Sequence, residues 1–433
     1  MRARLWLGWT AALALCLSSC GSSITLGPQP PGTPNSRIEH LVVIVQENHT
    51  FDNYFGAYCT APAGSDPACN HGPACCEAAP AKDPNGFAPI VLDDASNGAR
   101  DPNHEQSCEL SQINGGAMDG FTVGQAGCAN PQNFAVAGDA AKPYWDLAKT
   151  GALADRYFQP VAGQSSMNDM YFASAKFVFL DNMFAPDFAL TTCGLNQHTM
   201  VFSQPNLGDM LTEAGVPWAV YAEGLSATRA ALTTDSCADP APACPLGLPI
   251  YPCVFDGGDI PYAYFGAKTS DTEHFRDTDA LAADIDGQTL PDYSFVKFLG
   301  FKTEHPGYGT TISAGTDAVT ALVQKIEGSA YANNTLILIT WDEGGGYFDH
   351  VPPPPTSTID EQPYGTRIPL IAVGPFAKKN FVSHVTLEHS SIVKFIEWNW
   401  LGAKTGQLDG RDTTVHNIGS LLDLQAAGAA VPN

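Results

Sequence analysis

Two pairs of oxygen-bearing residues stand out by type and position. Glu47-Asn48 follows the apolar run "HLVVIVQ", and Asp342-Glu343 follows "NTLILITW". Three carboxylates and one amide oxygen would meet if those two runs lay side by side. Bare anions crowded together raise one another's pKa, and a divalent cation relieves the repulsion. Oxygen ligands suit a hard or borderline metal. Taken singly, each pair also reads as a helix cap or a solvated turn; what distinguishes them is that both end very apolar runs. A nucleophile for such a site is offered by "GQSSMND", where Ser165 and Ser166 enter an expected helix. A hydroxyl at a helix N-terminus gains from the dipole, which also favours a phosphoryl group there. One of the two serines could equally be a simple N-cap. His104, His305 and His350 lie in loops rather than on apolar faces and complete the set of candidate acid–base groups.

The elements that must position these groups can be read from periodicity. Four apolar runs, at 40–46, 216–223, 334–341 and 367–374, have the character of buried strands of a parallel sheet. Helical patterns intervene. Ala318, Val319, Leu322, Val323 and Ile326 share one face, as do Ile392, Phe395, Ile396 and Trp400. Strand–helix alternation of this kind indicates an α/β layered sheet, in which ligands bind beyond the carboxyl ends of the strands. Neighbouring strand residues point to opposite faces. Each pair can therefore converge only where the backbone has left the strand, and the three glycines after Glu343 permit that.

Composition narrows the class. The chain has 433 residues, 44% hydrophobic and 15% charged, with a formal charge of −24. That is a globular composition, and it excludes a nucleic-acid binder built on a basic stripe. So acidic a protein handling a phosphate must supply local positive charge, most simply as a metal ion. No G-x-S-x-G elbow is present, which argues against an α/β-hydrolase, and "DEGGG" lacks the Lys of a P-loop.

The N-terminus reads as a targeting segment. Arg2 and Arg4 precede a short apolar run ending in Leu17-Ser18-Ser19-Cys20, the pattern of a bacterial lipobox. The expectation is a signal peptide over 1–19 and a Gly/Ser/Pro tether over 20–36. A single domain follows over 37–425, with a tail over 426–433. The protein would then be exported to the bacterial cell envelope, held in the membrane by lipid on Cys20, or else periplasmic or secreted. Ten cysteines remain beyond this segment, all before residue 260, and an even number in an exported chain implies disulfides. They fall largely in two poorly periodic regions, about 57–130 and 228–262, expected to be disulfide-stapled insertions.

"IEHLVVIVQENHTFDNYFG" resembles the opening motif of a bacterial phosphoesterase family that includes phospholipases C and acid phosphatases. Further matching blocks follow in order: "GGAMDGF", "GQSSMN", "LTEAGVPWAVYAE", "TEHP", "WDEGGGYFDHVPPP" and "GTRIPLIAVGPFAKKNFVSHVTLEHSSIVKFIE". The resemblance implies an alkaline-phosphatase-like three-layer α/β sandwich with a mostly parallel central sheet. It implies metal ligation by Glu47, Asn48, Asp342 and Glu343, with one divalent ion, calcium, magnesium or zinc. Ser165 would be the nucleophile, His305 the acid for the leaving group, and His104 and Asn48 would neutralise the phosphoryl oxygens. Asn168 and His350 would support substrate binding. The substrate would be a phosphoester, a phospholipid among the candidates. A surface lipoprotein that binds phosphate or glycan without catalysis is the competing expectation. The sequence departs from the family at His49, where Arg is usual, so a fixed charge near the entrance is expected to be lost or titratable. Ser165 stands where many phospholipases carry Thr, which is closer to the acid-phosphatase branch.

Overall fold

The computed structural model describes residues 29–188, 198–234 and 236–432. The expected signal peptide, Cys20 and most of the tether lie outside these residues. Eight strands form the central sheet: β1 (His40–Gln46), β2 (Ala152–Ala154), β3 (Trp218–Ala222), β4 (Phe275–Arg276), β5 (Tyr293–Lys297), β6 (Thr335–Trp341), β7 (Leu370–Val373) and β8 (Phe381–Ser383). Their order across the sheet is β8-β2-β7-β6-β1-β5-β3-β4. The apolar stretches become strands because β-branched residues pack well on a pleated surface. Every residue of β6 is buried, as a strand covered on both faces requires.

The site is framed by the helices α1 (Phe51–Phe55), α2 (Gln106–Ile113), α3 (Lys142–Thr150), α4 (Ser165–Ser174), α5 (Ile312–Glu327) and α6 (His389–Trp400). α3 and α5 pack together, while α4 and α6 form a second group. Val319, Leu322, Val323 and Ile326 of α5 are buried, and so are Ile392, Phe395, Ile396 and Trp400 of α6, on the faces that the periodicity marked. Thr311 caps α5 by accepting from the Ala314 amide, and Thr50 and Asn53 form a capping box on α1.

The sheet is mixed rather than uniformly parallel. β1 pairs in parallel with both β6 and β5, but β7 runs antiparallel to β6 and to β2. The expectation that the fourth apolar run joins a parallel sheet is thus corrected. A parallel return needs a crossover, usually helical. The chain between β6 and β7 has no helix and carries "VPPPPTS" instead, so it folds straight back beside β6. The cysteine-rich regions are insertions, stapled among the described residues by Cys59–Cys76, Cys69–Cys75, Cys108–Cys128 and Cys244–Cys253. Both ends of the described chain are packed against the domain. Asn35 donates to the Trp398 carbonyl at 2.7 Å, and Ala427 and Val431 are buried.

A buried ion network joins α1 to the β6–β7 connection. His350 lies 2.9 Å from Asp52 through Nδ1 and 2.9 Å from Glu77 through Nε2. Arg367 donates to Asp52 at 3.1 Å and to Asp349 at 2.8 Å, and stacks over Phe51. Burial disfavours the imidazolium, but the Asp52 carboxylate outweighs it and raises the His350 pKa to about 9. Because that value exceeds the 6.5 of an unperturbed histidine, its stabilisation is complete below about pH 6.5 and is lost as pH rises through about 9. The stability difference between wild type and His350→Gln, from urea unfolding, should therefore shrink steadily from pH 6 to pH 9. A difference independent of pH in that window would show that His350 is held neutral.

Candidate active site

The parallel register brings the two oxygen pairs together. Gln46 of β1 lies opposite Trp341 of β6, so both strands end at the same level. The Asp342 amide donates to the Gln46 carbonyl at 3.0 Å, and the Asn48 amide donates to Asp342 Oδ1 at 3.1 Å. Asn48 has φ +64°, a left-handed conformation that asparagine tolerates better than most residues. The glycines opposite make this possible. A Cβ on Gly345, itself at φ +65°, would lie 2.3 Å from the Asn48 carbonyl oxygen. Side chains that would alternate in a strand thus converge because both strands have ended.

Ser165 opens α4. Its hydroxyl donates to Asn48 Oδ1 at 3.3 Å and lines a cavity of about 240 Å³ with Glu47, His104, Tyr251, His305 and Tyr308. Ser166 does not line it; its amide is engaged by Asn182 at 2.9 Å. Of the two serines, only Ser165 lines the cavity. His104 and His305 stand edge-to-face, with ring centroids 5.9 Å apart. Their Nδ1 atoms donate to the carbonyls of Pro102 and Pro306 at 2.7 and 2.8 Å, which fixes both rings. His104 Nε2 lies 3.7 Å from Glu343 and 3.5 Å from the Asn48 amide nitrogen. Burial lowers the His104 pKa, with Asp101 opposing.

The other two expected substrate-binding residues lie elsewhere. Both ring nitrogens of His350 are committed to the ion network with Asp52 and Glu77. Asn168 accepts from the Val161 amide at 3.1 Å and donates to Gly163 at 2.8 Å, bracing the turn that leads into Ser165. The structure also corrects the reading of His49. It is fully buried, not at the entrance, and its Nε2 donates to the Glu304 carbonyl at 3.1 Å. Burial drops its pKa to about 4, so it is neutral and carries no charge for the site.

Several residues that sequence did not single out hold the site in place. Lys297, at the end of β5, sits with its ammonium 2.8 Å from Glu47. Tyr251 donates to the other Glu47 oxygen at 2.8 Å. Burial alone would raise the Glu47 carboxyl, but Lys297 and then His305 pull it down to about 2. Asp342 is raised by burial to about 6 despite Lys297, and burial with Glu109 and Asp342 lifts Glu343 well above the carboxylate range. His389 donates to the Asp342 carbonyl at 2.8 Å, accepts from Tyr157 at 2.7 Å and stacks on Phe172 of α4 at 4.0 Å. Glu304 anchors the loop bearing His305, accepting from Tyr54 at 2.6 Å, from Gln46 at 3.2 Å and from Tyr144. The signal for Lys297 was faint, a lone charge closing "YSFVK", a run too mixed to declare itself a strand.

A divalent ion fits this donor set. Asp342 Oδ2 and Glu343 Oε1 are buried and accept no hydrogen bond from the protein. Buried carboxylate oxygens left without a donor are costly, and a cation satisfies them. A further group, Asp101, His104 and His305, brings one donor atom each within 4.8 Å of the others. The similar grouping of Asp52, Asp349 and His350 already surrounds the Arg367 guanidinium.

A sequence model of the Phosphoesterase family matches residues 38–401. Phospholipase C B of Mycobacterium tuberculosis is 26% identical, over 92% of this chain and 79% of that protein. The hemolytic phospholipase C of Pseudomonas aeruginosa is also 26% identical, over 90% of this chain but 56% of its own length. Among solved structures, a protein in the alkaline phosphatase superfamily from Vibrio parahaemolyticus aligns over 90% of this chain and 72% of its own, with 12% identity and a TM-score of 0.37. Matched over most of its length by this family model and by phospholipases C, the chain belongs to the Phosphoesterase family and is a hydrolase acting on phosphoester bonds.

Proposed function

We propose that the chain cleaves phosphoesters by attack of Ser165 on phosphorus, beside one divalent cation held by Glu47, Asn48, Asp342 and Glu343. The observation that carries this reading is the contact between Ser165 and Asn48, next to buried carboxylate oxygens that no protein donor satisfies. A divalent ion held there supplies Lewis acidity, polarising a phosphoryl oxygen and favouring the serine alkoxide. Ser165 sits at the first position of a ten-residue helix, where backbone amides and the dipole favour the phosphoryl group. As the Ser165 oxygen–phosphorus bond forms, the serine proton passes to solvent and the bond from phosphorus to the alcohol breaks. His305 gives the departing oxygen its Nε2 proton, since Nδ1 is held by Pro306. Water, with one proton taken up by His305, then attacks phosphorus; the bond to Ser165 breaks, the phosphate product leaves, and the serine oxygen regains its proton from solvent. The Asn48 amide binds a charged equatorial oxygen. His104 lies beside it, oriented by Pro102.

Between a phospholipid and a small phosphate ester, one feature favours the lipid. Leu246, Leu248 and Ile250 are 39%, 48% and 42% exposed in the loop closed by Cys244–Cys253. That loop also carries Tyr251 into the cavity, and Met183 and Tyr308 are exposed at or beside other lining residues. Exposed apolar side chains in the loop that supplies a cavity-lining residue suit contact with acyl chains. The relatives named phospholipase C are in keeping with this. An exported, lipid-anchored chain, as the Cys20 motif suggests, would meet such a substrate.

Hydrolysis of a p-nitrophenyl phosphoester should fall at least about a thousandfold in Ser165→Ala and stay within roughly threefold of wild type in Ser166→Ala. Full activity in Ser165→Ala would reject the nucleophile. A chelator should abolish turnover, and titration with calcium, magnesium or zinc should identify which ion restores it. If no phosphoester is cleaved under any of these conditions, the non-catalytic binding role gains the weight. Leu248→Asp with Ile250→Asp should depress hydrolysis of phospholipid vesicles at least about tenfold while sparing the soluble ester. An equal effect on both substrates would count against lipid contact.

A further inference from the structure

Lys297 is the one cation that the described structure places among the expected metal ligands. Its ammonium touches three separate elements. Glu47, just beyond β1, is 2.8 Å away; Asp342, just beyond β6, is 3.9 Å away; Asp169 of α4 is 3.7 Å away. These elements carry, in turn, two metal ligands and the nucleophile. Asp169 lies four residues after Ser165, so the two share one side of the same helix. Both Asp169 oxygens are buried and receive no directed hydrogen bond. The close approach to Glu47 is likewise an ion pair rather than a directed hydrogen bond. Such a contact depends on charge more than on angle, which suits a group that must hold several carboxylates at once. Lys297 does not line the catalytic cavity, so it lies behind the reacting groups.

Charge count gives this arrangement its consequence. Glu47, Asp169 and Asp342 present three buried carboxylates to one ammonium, buried Asp259 acts on it as a fourth, and Glu343 is adjacent. One positive charge cannot neutralise them, and a divalent ion can make up the shortfall. The ammonium and that ion share Glu47 and Asp342, and they repel each other. We propose that Lys297 is a positioning residue, a resident cation that ties the metal-binding carboxylates to the helix bearing Ser165 and holds down the affinity of the site for its divalent ion. Asp169 is its counterweight, drawing the ammonium away from the ligands. The inference rests on the proposed metal site.

The two partners should act on metal binding in opposite directions. Binding of Mn2+, Ca2+ and Zn2+, each titrated alone by calorimetry into the chelated, full-length protein, reads this directly. Lys297→Met removes the competing charge and should tighten binding at least about tenfold. Asp169→Asn leaves the ammonium to Glu47 and Asp342 and should weaken binding several-fold. Thermal unfolding gives a second readout. In chelator, Lys297→Met should melt well below wild type, and saturating metal should close most of the gap. A lysine that merely fills space would lower the melting temperature equally with and without metal. Unchanged affinity in either variant, or a change of the same sign in both, overturns the inference while leaving the metal reading intact. If Lys297→Met does not fold, Asp169→Asn decides alone, and unchanged or tighter binding there overturns it. Binding of none of the three ions to wild type or to either variant overturns both the metal reading and this inference.

Discussion

The arrangement depends on one electrostatic constraint, an excess of negative charge buried where three adjacent parallel strands end. β6, β1 and β5 deliver Asp342, Glu47 and Lys297 to the same end of the sheet, with Lys297 in register with Val45. Carboxylates removed from water repel one another strongly, and only compensation by cations makes their burial tolerable. The protein provides one such charge itself. The remainder is what the proposed divalent ion would balance.

Around this centre, rigidity comes from groups that never touch a substrate. Glu304 is driven under the sheet against Tyr54 and Tyr144, where burial raises its pKa to about 8. It has room only because residue 315 on α5 is glycine; a Cβ there would lie 2.2 Å from the Glu304 side chain. The adjacent His305 inherits a fixed position. His389 performs the same service from the other helical layer, joining the Asp342 backbone to α4 by a hydrogen bond and a stacked ring. His305 and the Asp342 backbone are therefore each held by an element other than their own, the preorganisation that the proposed chemistry needs.

Much of this was legible in the residues. That Glu47-Asn48 and Asp342-Glu343 come together was legible because each pair directly follows a strand with an unmistakable apolar signature. Which of Ser165 and Ser166 faces the cavity was not legible, since both fit a helix start. Lys297 was hidden because Tyr, Ser and Lys dilute the strand pattern of β5, and Glu47 and Asp169 are more than a hundred residues away in sequence. His49 misled for a related reason. Adjacency to a ligand suggests a place at the surface of the site, but the left-handed turn at Asn48 sends the next side chain beneath it. The reversal at β7 is a property of the connection rather than of the strand, and an apolar run carries no sign of its direction.

The disulfides bear on more than stability. His104 is not supplied by the sheet but by the first cysteine-rich insertion, immediately before α2. That helix also carries Glu109, which accepts from the Gly163 amide at 2.8 Å and from Gln159 at 2.8 Å in the turn leading to Ser165. Cys108, its neighbour, is bonded to Cys128. The helix that follows His104 and braces the turn before Ser165 is thus closed by oxidation. In a reducing compartment the same polypeptide would lack that clasp on α2.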